Sequence, residues 1–179
     1  MKYNTKSLTF FLIAALWLAS CAKDQNQSST KLSPEAFNNQ IVQLQFTLYN
    51  NLTQFMEAVR IYNVKAIQIQ YNKLSKTCKN SMASIDTLPQ TGIFRGYWQA
   101  ANKLFSFYSK TILQEYGNIV DLLLQPTDSI TEAQINHIDS VSRNMMTLEL
   151  KLRNDFNIAQ DSFAQINHLE LQTLPADSI

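Results

Sequence analysis

The side chains that carry most enzyme chemistry are scarce in this chain, with two His and two Cys among 179 residues. Di-metal helical bundles use Glu-x-x-His pairs. Neither His137 nor His168 has a Glu three residues before it. A haem needs an axial ligand from the core. His137 stands beside the apolar stripe, and Met82 and Met145 fall on stripes as space fillers. No Gly-x-Ser-x-Gly, Gly-rich phosphate loop or His-Glu-x-x-His occurs. Asp155 and Asp161 lie outside the three- or four-residue spacing that brings helical side chains together. These absences read as a non-enzymatic chain with no metal site and no cofactor beyond what its cysteines carry.

The two cysteines differ. Cys78 falls in register with Val64, Ile67, Tyr71, Leu74, Met82 and Ile85, and reads as a small apolar core residue. Cys21 follows Lys2, Lys6 and an apolar run from Leu8 to Ala19. That layout is a secretory signal, too short for a membrane span of about 20 residues. The run closes in Leu18-Ala19-Ser20-Cys21, which resembles the bacterial lipobox. The resemblance implies a diacylglyceryl group on the Cys21 thiol, cleavage before Cys21 and acylation of the new amine. Two or more acyl chains anchor a protein stably. Ala22 follows Cys21, with no Asp there, and by resemblance to the lipoprotein sorting rule this implies the outer membrane. Lys23-Asp24 resembles the charged surface-export signal of some Bacteroidota lipoproteins. The expected location is the cell envelope, lipid-anchored at the outer membrane on its periplasmic face or at the cell surface.

Removal of residues 1–20 leaves 159 residues, enough for one domain with a core. It also leaves thirteen basic against fourteen acidic residues. A near-neutral chain has no electrostatic footprint for nucleic acid, and on this reading no basic patch to supplement the lipid. With Cys21 acylated, Cys78 has no intramolecular partner. Three Gly and four Pro are too few for a strand-and-turn protein.

The spacing of apolar residues supplies the elements. Residues 21–32 are polar and aperiodic and read as a flexible lipid tether. Ser33, Pro34 and Glu35 are a helix start. Phe37, Ile41, Leu44, Leu48, Leu52, Phe55 and Val59 follow at steps of three and four. A break is expected at Ile61–Asn63, although no Gly or Pro marks it. The Cys78 stripe makes the second helix, and Leu88-Pro89 to Gly92 a loop. The third helix runs from Ile93 to Leu124 on Phe94, Trp98, Ala101, Phe105, Tyr108, Ile112, Tyr116, Ile119 and Leu123. Thr131 and Gln134 form a capping box between Ile130 and Ile135. The last stripe is Ile135, Ile138, Val141, Met145, Leu148, Leu152, Phe156, Ala159, Phe163 and Ile166. The expectation is an all-α, up-down-up-down four-helix bundle over 33–170 with a frayed tail at 171–179. The alternative is three long helices, with the first two fused.

The aromatic run in the third helix contains the candidate binding residues. Trp98 lies on the stripe, whereas Tyr97 and Phe107 lie off it. The three read either as core or as a patch for a ligand or partner. If exposed, that patch would support a homodimer.

The segment Phe156-Asn157-Ile158-Ala159-Gln160-Asp161-Ser162-Phe163-Ala164-Gln165-Ile166-Asn167, with Tyr49 to Phe55, Lys103 to Tyr108 and the lipobox, resembles a family of small helical surface lipoproteins. The family occurs in spirochaetes and Bacteroidota and is named for a leptospiral surface protein. The resemblance implies a surface or periplasmic lipoprotein of uncharacterised activity and brings no catalytic residues with it. The expected function is a protein-interaction or structural accessory module, bound to the membrane through its lipid and to an envelope protein. The alternative is a bundle holding a small apolar molecule near Trp98.

Overall fold

The computed structural model describes residues 32–126 and 129–171. Cys21, the expected signal segment and tether, up to residue 31, and the expected tail from 172 lie outside them. Two residues from the ends of those spans are ordered against the bundle. Leu32 packs on the core, and Leu171 lines a cleft beside it.

Helix α1, Pro34–Arg60, starts as the sequence indicates: the Ser33 hydroxyl accepts from the Ala36 amide at 3.1 Å. Phe37, Ile41, Leu48 and Phe55 are fully buried along one face. The expected break is real, and its cause is a left-handed residue. Tyr62 sits at φ 49°. Its amide bonds to Val59 O at 2.9 Å, and the Asn63 amide reaches Ala58 O at 3.1 Å. This is the double bond pattern of a Schellman end, built without glycine. Asn63 then opens α2, Val64–Asp86, by accepting from the Ala66 amide at 3.0 Å. One residue thus ends one helix and begins the next. Across the pair, the Asn51 side-chain amide donates to Thr77 Oγ1 at 2.7 Å.

After the Leu88-Pro89 loop, a 3-10 turn, Gly92–Phe94, leads into α3, Arg95–Phe107. A π-helical turn, Tyr108–Ile112, joins α3 without a break to α4, Leu113–Leu123. The three segments form the third rod. The sequence explains the π turn. Tyr108, Ile112, Tyr116 and Val120 recur at steps of four, and each such step drifts about 40° on a regular helix. The wider turn absorbs the drift and keeps these residues on the core side. Val120 takes the fully buried place, while Ile119 is only half-buried.

Helix α5, Glu132–Asn167, carries the expected capping box: Gln134 Oε1 accepts from the Thr131 amide at 2.8 Å. Its 36 residues are about 54 Å long. It ends in a second Schellman pattern, with His168 left-handed at φ 54° and the Leu169 amide on Ala164 O at 2.9 Å.

The four rods form an all-α bundle, with no strand among the described residues. α1 packs along α2, α2 along α3 and α4, and α3 along α5. The fourth boundary, α1 against α5, is the most open. At the Ser33 end an aromatic cluster fills the interior. Phe37 meets Phe94 at 4.6 Å, and Tyr97 meets Phe156 and Phe163 at 5.4 and 5.3 Å.

Candidate functional site

The residues singled out as a patch are placed inside the bundle. Tyr97 is 2% exposed and Phe107 6%. Trp98 is half-buried, and its Nε1 donates to Ile85 O at 3.0 Å, tying the start of α3 to the end of α2. The physical reason is that α3 has two neighbours. Trp98 and Ser106 face α2, while Tyr97 and Tyr108 turn towards α5 and Phe107 packs on the Tyr108 ring, so the buried arc exceeds one stripe. Tyr97 and Phe107 therefore belong to the core, with Trp98 half-buried at its edge, and the three do not form one outward patch.

Cys78 is fully buried, and burial pushes its thiol up to about 12. A thiolate is the reactive form, so this position is chemically quiet. His137 and His168 are both exposed. Among the described residues, no three His, Cys, Asp or Glu side chains cluster to hold a metal ion. None of the described helices is long and apolar enough to cross a membrane. Cys21 lies outside the described residues.

What the molecule offers instead is the α1–α5 seam. Two cross-contacts set its antiparallel register: Gln160 Nε2 donates to Asn38 Oδ1 at 3.0 Å, and the Arg153 guanidinium lies 5.0 Å over the Tyr49 ring. Beside that ring, the Tyr108 hydroxyl donates to Glu149 Oε1 at 2.7 Å. Burial first, then Tyr49 and Glu149, raise the Tyr108 hydroxyl far above its ordinary range. This polar knot sits midway and divides the seam in two.

Towards the Ser33 end lies a polar cleft of about 570 Å³, lined by Glu35, Asn38, Asn39, Gln43, Gln160 and His168. Towards the loop end, the seam becomes apolar and stands open. The register places Met56 level with Met146, and Leu150 is one turn back along α5 towards the polar knot. Met146 and Leu150 are 67% and 68% exposed. Beyond them opens a groove of about 320 Å³, lined by Tyr62, Leu122, Leu123, Ile130, Ile135 and Ile138. Tyr62 is fixed there by a bond from its hydroxyl to Leu123 O at 3.2 Å. The left-handed backbone at Tyr62 is thus part of the groove wall.

Ile135, Leu148 and Ile166 lie on the expected core stripe, yet all three are exposed. A total charge near zero predicts no basic patch. The outer face of α2 nevertheless carries Lys65, Lys73, Lys76 and Lys79, all exposed, and the only acidic residue on α2 is its last, Asp86. Compared with known proteins, the chain matches no family model, no curated protein and no solved structure. Its function has to be read from its own residues.

Proposed function

We propose that this chain is a lipid-anchored, non-enzymatic lipoprotein of the cell envelope, held through Cys21 at the outer membrane, whose bundle docks a helix of an envelope protein partner. The observation that carries the reading is the open apolar half of the α1–α5 seam. Large aliphatic and Met side chains exposed in one run mark interaction surfaces. Flexible Met suits a surface that adapts to a partner. A trough between two antiparallel helices fits an amphipathic helix laid along it. The resemblance to small surface lipoproteins supports the same assignment.

The test uses the full chain, expressed with its anchor and carrying a photo-crosslinker at position 146. The expected result is one discrete heavier adduct in the envelope fraction, lost in Leu150→Glu and kept in Lys103→Glu. An adduct of twice the chain mass would replace the partner with a second copy. No adduct would overturn the docking reading. Cys21→Ala should release the protein from the membrane fraction, and retention there would overturn the anchor.

A second reading uses the groove beside Tyr62, between the end of α4 and the start of α5. Its volume of about 320 Å³ lies at the lower end of ligand pockets, which suits a small apolar molecule. Native mass spectrometry separates the two, since a bound small molecule adds a fixed mass without crosslinking.

A further inference from the structure

The near-neutral total charge conceals a segregated one. On α2, Lys65, Ile69, Lys73 and Lys76 are exposed on one face, with Lys79 at its edge. Ile67, Leu74, Cys78 and Ile85 are buried on the opposite side. From Lys65 to Lys79 the face runs about 21 Å. None of these lysines forms an ion pair among the described residues, where the one ion pair is Arg60 with Glu57. Lys73 donates only to Gln54 Oε1, at 2.9 Å. Amid the cations, Ile69 is 54% exposed. Four unpaired lysines around one bare aliphatic residue make a surface that attracts anions and has an apolar centre.

We propose that this face of α2 rests on the anionic headgroups of the bilayer in which the protein is anchored. The proposal rests on the lipid-anchor reading and adds an orientation to it. Charge complementarity gives the occupant its chemistry. Each lysine near an anionic leaflet contributes several-fold to binding, and Ile69 can enter the headgroup layer. Reach permits it. The eleven residues from Cys21 to Lys31 span at most about 36–40 Å, no less than the length of α2, about 34 Å. The anchor can therefore insert along the length of α2 when the bundle lies on that helix. Because α2 packs against α1 on one side and α3 and α4 on the other, it stands diagonally across the bundle from α5. Laid on α2, the molecule presents α5, with Met146 and Leu150, away from the membrane.

The test uses the lipidated chain on vesicles of phosphatidylcholine, alone or with about one-third phosphatidylglycerol. Brief lysine acetylation is followed by mass spectrometry. On the anionic vesicles in low salt, Lys65, Lys73, Lys76 and Lys79 should label several-fold more slowly than the exposed Lys103, Lys110 and Lys151. The difference should vanish on neutral vesicles and in high salt, which screens charge. Equal labelling of a protein that floats with the anionic vesicles would overturn the orientation and leave the anchor standing. A protein that does not float would instead remove the anchor reading beneath it. Slow labelling on neutral vesicles too would mean that another protein surface covers α2, and would overturn the proposal. The doubly reversed variant Lys76→Glu with Lys79→Glu changes only exposed positions. It should free Lys65 and Lys73 to label on anionic vesicles, and continued protection would count against the proposal.

Discussion

The Tyr71 hydroxyl stands 2.7 Å from where a Cβ on residue 117 would lie, and donates to Leu113 O at 2.7 Å. Gly117 is the gap through which a side chain of α2 reaches the backbone of α4. A mid-helix glycine costs about 1 kcal/mol relative to alanine. Here that cost is offset by a bond joining two rods just after the π turn.

This relationship fixes the sign of a double-mutant cycle. Gly117→Ala alone should destabilise by about 1 kcal/mol, because displacing the Tyr71 hydroxyl outweighs the gain in helix propensity. Tyr71→Phe alone should cost about 1 kcal/mol. Together they should be better than additive, since the ring carbon at 3.5 Å tolerates the new methyl. Urea denaturation of the four proteins measures the coupling. Simple additivity would show that the two residues do not interact.

Tyr97 makes the opposite case. Its ring is buried among Phe37, Phe156 and Phe163, yet its hydroxyl has no hydrogen-bond partner. An unsatisfied buried hydroxyl costs about 1–3 kcal/mol. Tyr97→Phe should therefore raise the unfolding midpoint, whereas Phe107→Ala should lower stability by about 3–5 kcal/mol. A loss of stability in Tyr97→Phe would reveal a partner for that hydroxyl.

Asn63 supports both sides of the α1–α2 break. Asn63→Ala removes the α2 cap and should cost about 1 kcal/mol. Amide exchange should then quicken at Val64–Ile67 while the Schellman bonds hold Tyr62 in place. Unchanged exchange there would show that the side-chain cap contributes nothing.

The bundle should lose stability in alkali. Burial raises Cys78 from 9.0 and Tyr116 from 10.0, each to about 12. The unfolded chain releases these protons first. The stabilisation is complete below pH 9 and is lost as pH rises towards 12, by about 1.4 kcal/mol per unit, from pH 9 for Cys78 and from pH 10 for Tyr116. Urea midpoints measured through that range should fall, and less steeply in Cys78→Ala. A flat profile would contradict the burial of both groups.

Much of this fold is legible in the residues. Ser33 and Thr131 act as caps in the structure, and the break at Ile61–Asn63 follows from where one stripe stops and another begins. Its mechanism is not legible, because nothing in the residue types announces a left-handed tyrosine. Tyr97 and Phe107 were ambiguous for another reason. Periodicity describes one helix at a time, and a rod flanked by two neighbours buries a wider arc. The same limit hid the exposure of Ile135 and Leu148, since an apolar stripe does not say whether a partner lies opposite. The α1–α5 seam comes only from the assembled rods.

The π turn gives the third rod a phase. Straightening Tyr108–Ile112 into regular α-helix with every residue kept would give sounder hydrogen bonding, and by local criteria a better helix. It would also rotate everything downstream by about 100°. Val120 would swing away from the interior, and Gly117 would no longer face the Tyr71 hydroxyl. The chain carries one residue more than a regular helix with this face inward would need, and the π turn takes it up. A one-residue deletion there is therefore the change this rod should absorb in register, while the same deletion within α3 or α4 would turn half of its face out of the core.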